Sequence, residues 1–117
     1  MTWPKEITVV GARDMFAGMN DGPNGRHCAI GWRNADMPQR ADDETDQWRR
    51  AYIEAAIAKF ELLSYGNSVV VVNDSTCKTN AQRAVLLNLT WKALGYDVPE
   101  SACKWPGGSK KRGAKRT

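Results

Sequence analysis

Three cysteines, a single histidine and one adjacent Asn-Asp pair are the side chains of this chain best suited to chemistry. A cysteine nucleophile needs thiolate character and an imidazole base within hydrogen-bond reach. His27 is the immediate neighbour of Cys28. Neighbouring side chains point about 100° apart on a helix and to opposite faces of a strand. His27 is therefore poorly placed to serve Cys28, although it could serve Cys77 or Cys103. The same four residues carry the donor atoms of a zinc site, but their spacing matches no ligand knuckle. No metal and no cofactor is expected. Asn73-Asp74 follows an apolar run and precedes a helix start, the place where α/β proteins hold anions. The alternative is that the pair only builds the turn. Asp14 and Asp74 would make a carboxylate pair if the fold brought them together.

Charge gives a second candidate site. From Lys104 onward the chain carries six basic residues (Lys104, Lys110, Lys111, Arg112, Lys115 and Arg116) and no acid. The other 11 of its 17 basic residues face all 13 acids, so the net charge of +4 belongs to the C-terminal end. Such an arm contacts phosphates without reading sequence, or serves only to solubilise. Five tryptophans are many for 117 residues. Most should be core, but an exposed pair among Trp3, Trp32 and Trp105 would mark a binding surface. His27, Cys28, Trp32, Asn73 and Asp74 together form the candidate ligand or partner site.

The length supports one domain with its own core, expected over 1–105, with a flexible basic tail over 106–117. No apolar run approaches the ~20 residues of a membrane span, and without a basic-then-apolar opening no secretory signal is expected. An odd number of cysteines without a Cys-x-x-Cys pair predicts a reducing cytoplasm rather than a disulfide framework.

These residues must be positioned by a few elements. Val69 to Val72 are four β-branched residues in a row, which predicts a short extended element buried on both faces. Thr79, with Gln82 three residues on, has capping-box spacing. Ala84, Leu87, Trp91 and Leu94 then share one helical face, and Gly95 stands where a left-handed residue ends the helix. A second helix is predicted over 45–63, with Trp48, Tyr52, Ala55, Ala56, Phe60 and Leu63 on its apolar face and Gly66 closing it. The opening stretch reads as a helix over 4–17, although Ile7-Thr8-Val9-Val10 also suits a strand. Residues 27–32 form a short, tightly packed element, and 34–44 a surface connection. The expected fold is mainly α, with three to four helices and a short β element at 69–72. The alternative is an α/β Rossmann-like fold.

Two resemblances accompany this reading. Gly25-Arg26-His27-Cys28-Ala29-Ile30-Gly31 resembles a Gly-x-x-Cys-x-x-Gly motif, and Asn73-Asp74 with the helix from Thr79 to Leu87 resembles an Asn-Asp turn before a helix. Both occur in a family of small uncharacterised actinobacterial and phage proteins. That resemblance implies a phage-type origin but no activity; the small size, the lack of a catalytic constellation, the excess of tryptophan and the basic tail then point to an accessory protein in the host cytoplasm that binds a host protein as a takeover or anti-defence factor. Contacts to nucleic acid would come through the tail. Ile7 to Asp14 is similar to the opening strand and turn of Rossmann-like nucleotide-handling domains. That would imply a nucleotide-binding or cysteine-dependent enzyme centred on Cys28 and Asn73-Asp74, but the Gly-Gly phosphate loop is missing after Val72.

Overall fold

The computed structural model describes residues 3–18, 23–61 and 68–106. Its centre is a helix that begins as its sequence dictates. Thr79 Oγ1 accepts a hydrogen bond from Gln82 N at 3.1 Å, and Gln82 Oε1 accepts one from Lys78 N at 2.7 Å. One first-turn N–H and the N–H just before the cap thus find side-chain acceptors. The helix runs Asn80–Ala93 and is labelled α4 below. It closes through Gly95, whose φ of +102° lies in the left-handed region. Its buried residues include Arg83, Ala84, Leu86, Leu87, Asn88 and Trp91, so it is enclosed on more than one face.

Three further helices precede it: α1 over Ala29–Asp36, α2 over Asp42–Phe60 and α3 over Val69–Val71. Asp42, Asp43 and Glu44 lie inside the first turn of α2, where carboxylates favour the helix dipole. Glu44 Oε1 also accepts from Ala41 N at 3.0 Å. The helix therefore starts earlier than the predicted residue 45. It stops at Phe60 because Glu61 turns left-handed (φ 55°) while its N–H still reaches Ile57 O at 2.8 Å. The predicted closure at Gly66 lies outside the described residues.

The core lies between α2 and α4. Trp48 stacks on Tyr52 at 5.4 Å and meets Trp91 edge-on at 6.3 Å, and Tyr96 meets Trp91 at 5.2 Å. Trp48, Tyr52 and Trp91 are wholly buried. Burying such rings is the main source of stability here, at roughly 25 cal/mol per Å² of apolar surface. The Tyr52 hydroxyl has no partner among the described residues, and burial holds its pKa well above the usual value, so it stays neutral.

Two predicted elements are corrected. The valine run is helical. Ser68 caps it, its Oγ accepting from Val71 N at 3.1 Å and its carbonyl from Val72 N at 3.0 Å. The chain then widens into a π turn over Val72–Thr76, closed by Cys77 N to Val72 O at 2.8 Å. Val69 and Val72 are buried while Val70 and Val71 are half exposed, the i,i+3 pattern of a helix. β-branched propensity loses because no strand lies among the described residues to pair with an extended run, whereas a helical turn satisfies its own backbone. The absence of strands among those residues also removes the Rossmann-like alternative, and the mainly α reading stands.

The opening segment is not a helix. Residues 7–11 have no regular structure, and only Ala12–Asp14 form a 3-10 turn. Their backbone groups are satisfied from outside. Asp36 takes Thr8 N at 3.0 Å and Thr8 Oγ1 at 2.9 Å. Asn88 Oδ1 accepts from Val10 N at 3.1 Å, and Asn88 Nδ2 donates to Val10 O at 2.9 Å. The apolar spacing of Ile7, Val10 and Met15 is real, but side chains of α1 and α4 take the hydrogen bonds a helix would have made internally.

Candidate functional site

Asn73 and Asp74 sit in the π turn, which presents them to the loop that leads into α1. Asn73, 1% exposed, accepts from Ala29 N at 3.2 Å and donates through Nδ2 to Phe16 O at 3.1 Å and Asp74 Oδ1 at 2.9 Å. Asp74 Oδ1 also accepts from Gly18 N at 2.9 Å. The pair therefore ties residues 16–18 and the first residue of α1 to the turn. Asp74 does not meet Asp14 in any hydrogen bond among the described residues; Asp14 Oδ2 instead accepts from Gly11 N at 2.8 Å.

Arg83 completes this junction from α4. Its Nε donates to Asn73 O at 2.5 Å, Nη2 to Cys77 O at 3.0 Å and Asp74 O at 3.5 Å, and Nη1 to Asn80 Oδ1 at 2.7 Å. The carbonyls where a helix ends are an electronegative site that a guanidinium suits. Arg83 was not among the residues that the spacing singled out. Its signal was an arginine one residue before the apolar stripe, three residues after a potential acceptor, Asn80.

Cys28 is the N-cap of α1. Its Sγ accepts from Gly31 N at 3.4 Å, and the residue is 4% exposed. The His27 ring lies edge-on to Trp32 at 4.8 Å, and the His27 backbone N–H donates to Asp14 O at 3.1 Å. Trp32 Nε1 donates to the same carbonyl at 2.9 Å. The structure thus brings Cys28, Asn73 and Asp74 to one junction and turns His27 and Trp32 toward the 12–15 turn. Cys103 is half buried on the C-terminal 3-10 turn, Glu100–Cys103. Among the described residues no three His, Cys, Asp or Glu side chains come together as a metal site requires.

Cys77 is buried, and burial pushes its thiol up to about 11 despite the opposing Arg83 charge. A thiol whose folded pKa exceeds its unfolded value stabilises the fold fully below the unfolded pKa. That contribution is lost as pH rises through the folded value. Stability should therefore fall as pH rises from about 9 to 11, and Cys77→Ala should flatten that part of the profile. Urea midpoints measured across this range check it; an unchanged slope in the variant would refute the assignment.

Trp105 packs edge-on to Phe60 at 5.3 Å, with Lys59 Nζ 5.8 Å from its ring centroid. Lys104 is exposed beside it. Lys110, Lys111, Arg112, Lys115 and Arg116 lie outside the described residues. Open clefts flank the C-terminal segment. One, of about 340 Å³, is lined by Trp3, Gln47, Leu94, Gly95 and Tyr96. Another, of about 460 Å³, is lined by Leu89, Lys92, Glu100, Ser101, Cys103 and Lys104. Tyr96 Oη donates to Pro4 O at 2.6 Å, which holds the chain next to Trp3 against the first cleft.

No protein-family model, no curated protein and no solved structure matches the chain.

Proposed function

We propose that this protein works by binding rather than by catalysis, as a small phage-type accessory protein in the host cytoplasm, and that its target is a host protein. The observation that carries the reading is the cleft walled by Trp3, Leu94 and Tyr96, which among the described residues is lined by no charged side chain. An open pocket with aromatic walls accepts an apolar anchor side chain, the kind of contact that dominates protein–protein affinity. The half-exposed neighbours Val70 and Val71 offer further apolar surface. The hydrogen bonds of Asn73, Asp74 and Arg83 run to backbone, to one another and to the Asn80 side chain. This favours a scaffold role for them over the alternative of a nucleotide-binding or cysteine-dependent enzyme.

The cleft can be closed without disturbing the core, because Gln47 is exposed on α2. Gln47→Trp should abolish capture of a stoichiometric host protein on immobilised full-length chain while leaving the thermal midpoint unchanged. Capture by the variant at wild-type level would refute the cleft as the contact. A second reading, nucleic acid held through the basic C-terminal end, is favoured by exposed Lys104, from which the cationic run continues. The same experiment separates the two. A complex seated in the cleft survives added salt, whereas phosphate contacts weaken steeply with it.

A further inference from the structure

Tyr96 lines two clefts. One is the cleft of about 340 Å³ that it shares with Trp3, Gln47, Leu94 and Gly95. The second, of about 230 Å³, is lined by Lys5, Glu6, Ile7, Tyr96 and Asp97. Pro4 stands in the chain between the residues that line the two, and its carbonyl accepts from Tyr96 Oη at 2.6 Å. Residues 3–7 therefore cross one groove at Tyr96 and divide it. The floor of that groove belongs to the core. The Tyr96 ring packs edge-on against the wholly buried Trp91 at 5.2 Å, and Tyr96 N donates to Trp91 O at 3.1 Å.

The segment that crosses it is held differently. Among the described residues, no hydrogen bond between backbone groups holds residues 3–10. Side chains of other elements do so: Tyr96 at Pro4, Asp36 at Thr8 and Asn88 at Val10. The Thr8 bonds are exposed, so water competes for both partners. Val10 is buried and is held by both polar atoms of Asn88. Trp3 and Ile7 are half-buried, and Lys5, Glu6, Thr8 and Val9 are exposed. Val10 is thus a fixed end, and residues 3–9 are a strap that lifts while the helices stay packed. Lifting it joins the two clefts and frees the Tyr96 hydroxyl for another carbonyl.

We propose that the groove across Tyr96 binds an extended segment of the partner in which an aromatic residue precedes a proline, and that this segment displaces the strap. The occupant is argued from what the groove already holds, the chain's own Trp3-Pro4. Proline keeps the residue before it extended and brings no N–H that would need a strand partner. Aromatic-walled grooves take such segments, because their extended form costs little entropy to dock. The Tyr96 hydroxyl supplies the one directed contact, to the proline carbonyl. Burial, then the charges of Asp36 and Glu44, raise the Tyr96 pKa, so the hydroxyl remains a donor at neutral pH. The proposal rests on the host-protein reading for the source of the segment, and on the strap for its chemistry.

The test titrates the full-length ¹⁵N-labelled chain with the acetylated and amidated peptide Trp-Pro-Lys-Glu-Ile-Thr-Val and follows backbone amide resonances. Expected is a saturable shift at Gly95, Tyr96 and Asp97, with the Thr8 amide moving toward its unfolded position. The tethered strap competes at an effective concentration on the order of millimolar. Trp3→Ala, which empties the aromatic seat, should therefore bind the peptide about tenfold more tightly than the wild type. Adding Tyr96→Phe to that variant should weaken binding again, and peptides with Ala in place of Trp or of Pro should bind less well. No saturable shift at Gly95 to Asp97 in either chain, equal affinity of wild type and a folded Trp3→Ala variant, or equal binding of the Ala-substituted peptides would overturn the proposal. Dimerisation of the wild-type chain over the same concentrations, followed by light scattering without peptide, would give the groove to a second copy and overturn it as well. Peptide binding without capture of a host protein upholds the groove and refutes only the host target; capture without peptide binding refutes the groove's occupant alone.

Discussion

Arg83→Met should lower the unfolding free energy by about 4 kcal/mol, the largest single effect expected outside the aromatic core. The methionine retains the apolar stem but leaves three backbone carbonyls, Asn73 O, Asp74 O and Cys77 O, without their charged donor. Hydrogen bonds to charged groups contribute about 1.5–3 kcal/mol each, and a buried acceptor left unpaired costs about 1–3 kcal/mol. The bond to Asp74 O is long and counts for little, so the sum stays near the value of two strong bonds. The loss should be local as well as global. With its carbonyls uncovered, the π turn should release Asn73, and the amide of Ala29 should lose protection against hydrogen exchange. Urea unfolding and amide exchange together check this. A loss below about 1 kcal/mol would mean that the turn is held by its own backbone.

Asn88→Leu should lower stability by about 3 kcal/mol with little change in side-chain volume. Asn88, 1% exposed, bonds Val10 N, Val10 O and Ala102 O. One side chain on α4 therefore ties an early segment and the C-terminal 3-10 turn to the centre of the molecule. Leucine would leave one buried donor and two acceptors unpaired. Val10 and Ala102 should both become exchange-competent, while Trp48 fluorescence from the α2–α4 core stays native until global unfolding. Retained protection at Val10 would show that the apolar contacts of Ile7 and Val10 suffice to dock the segment.

Much of the fold was legible in the sequence where local and global signals agree. The Thr79–Gln82 cap, the apolar stripe and Gly95 each act within a few residues, and α4 formed where they placed it. Likewise, Trp48 and Tyr52 announced the buried face of α2 by helical spacing alone. The boundaries shifted because caps depend on individual bonds, such as Glu44 to Ala41 N, that composition does not show.

Tertiary structure decided the rest, and it did so through backbone hydrogen bonds. The valines at 69–72 have strand propensity, but propensity is worth less than pairing every buried N–H and C=O, and the helical turn pairs them. Residues 4–11 carry helical apolar spacing, but Asp36 and Asn88 supply partners from 28 and 78 residues away, so the segment stays irregular. Composition and short-range pattern determined that this chain forms helices and which faces they bury. Which polar side chains became scaffold and which remained available for a ligand was set by long-range contacts, whose partners no local window contains.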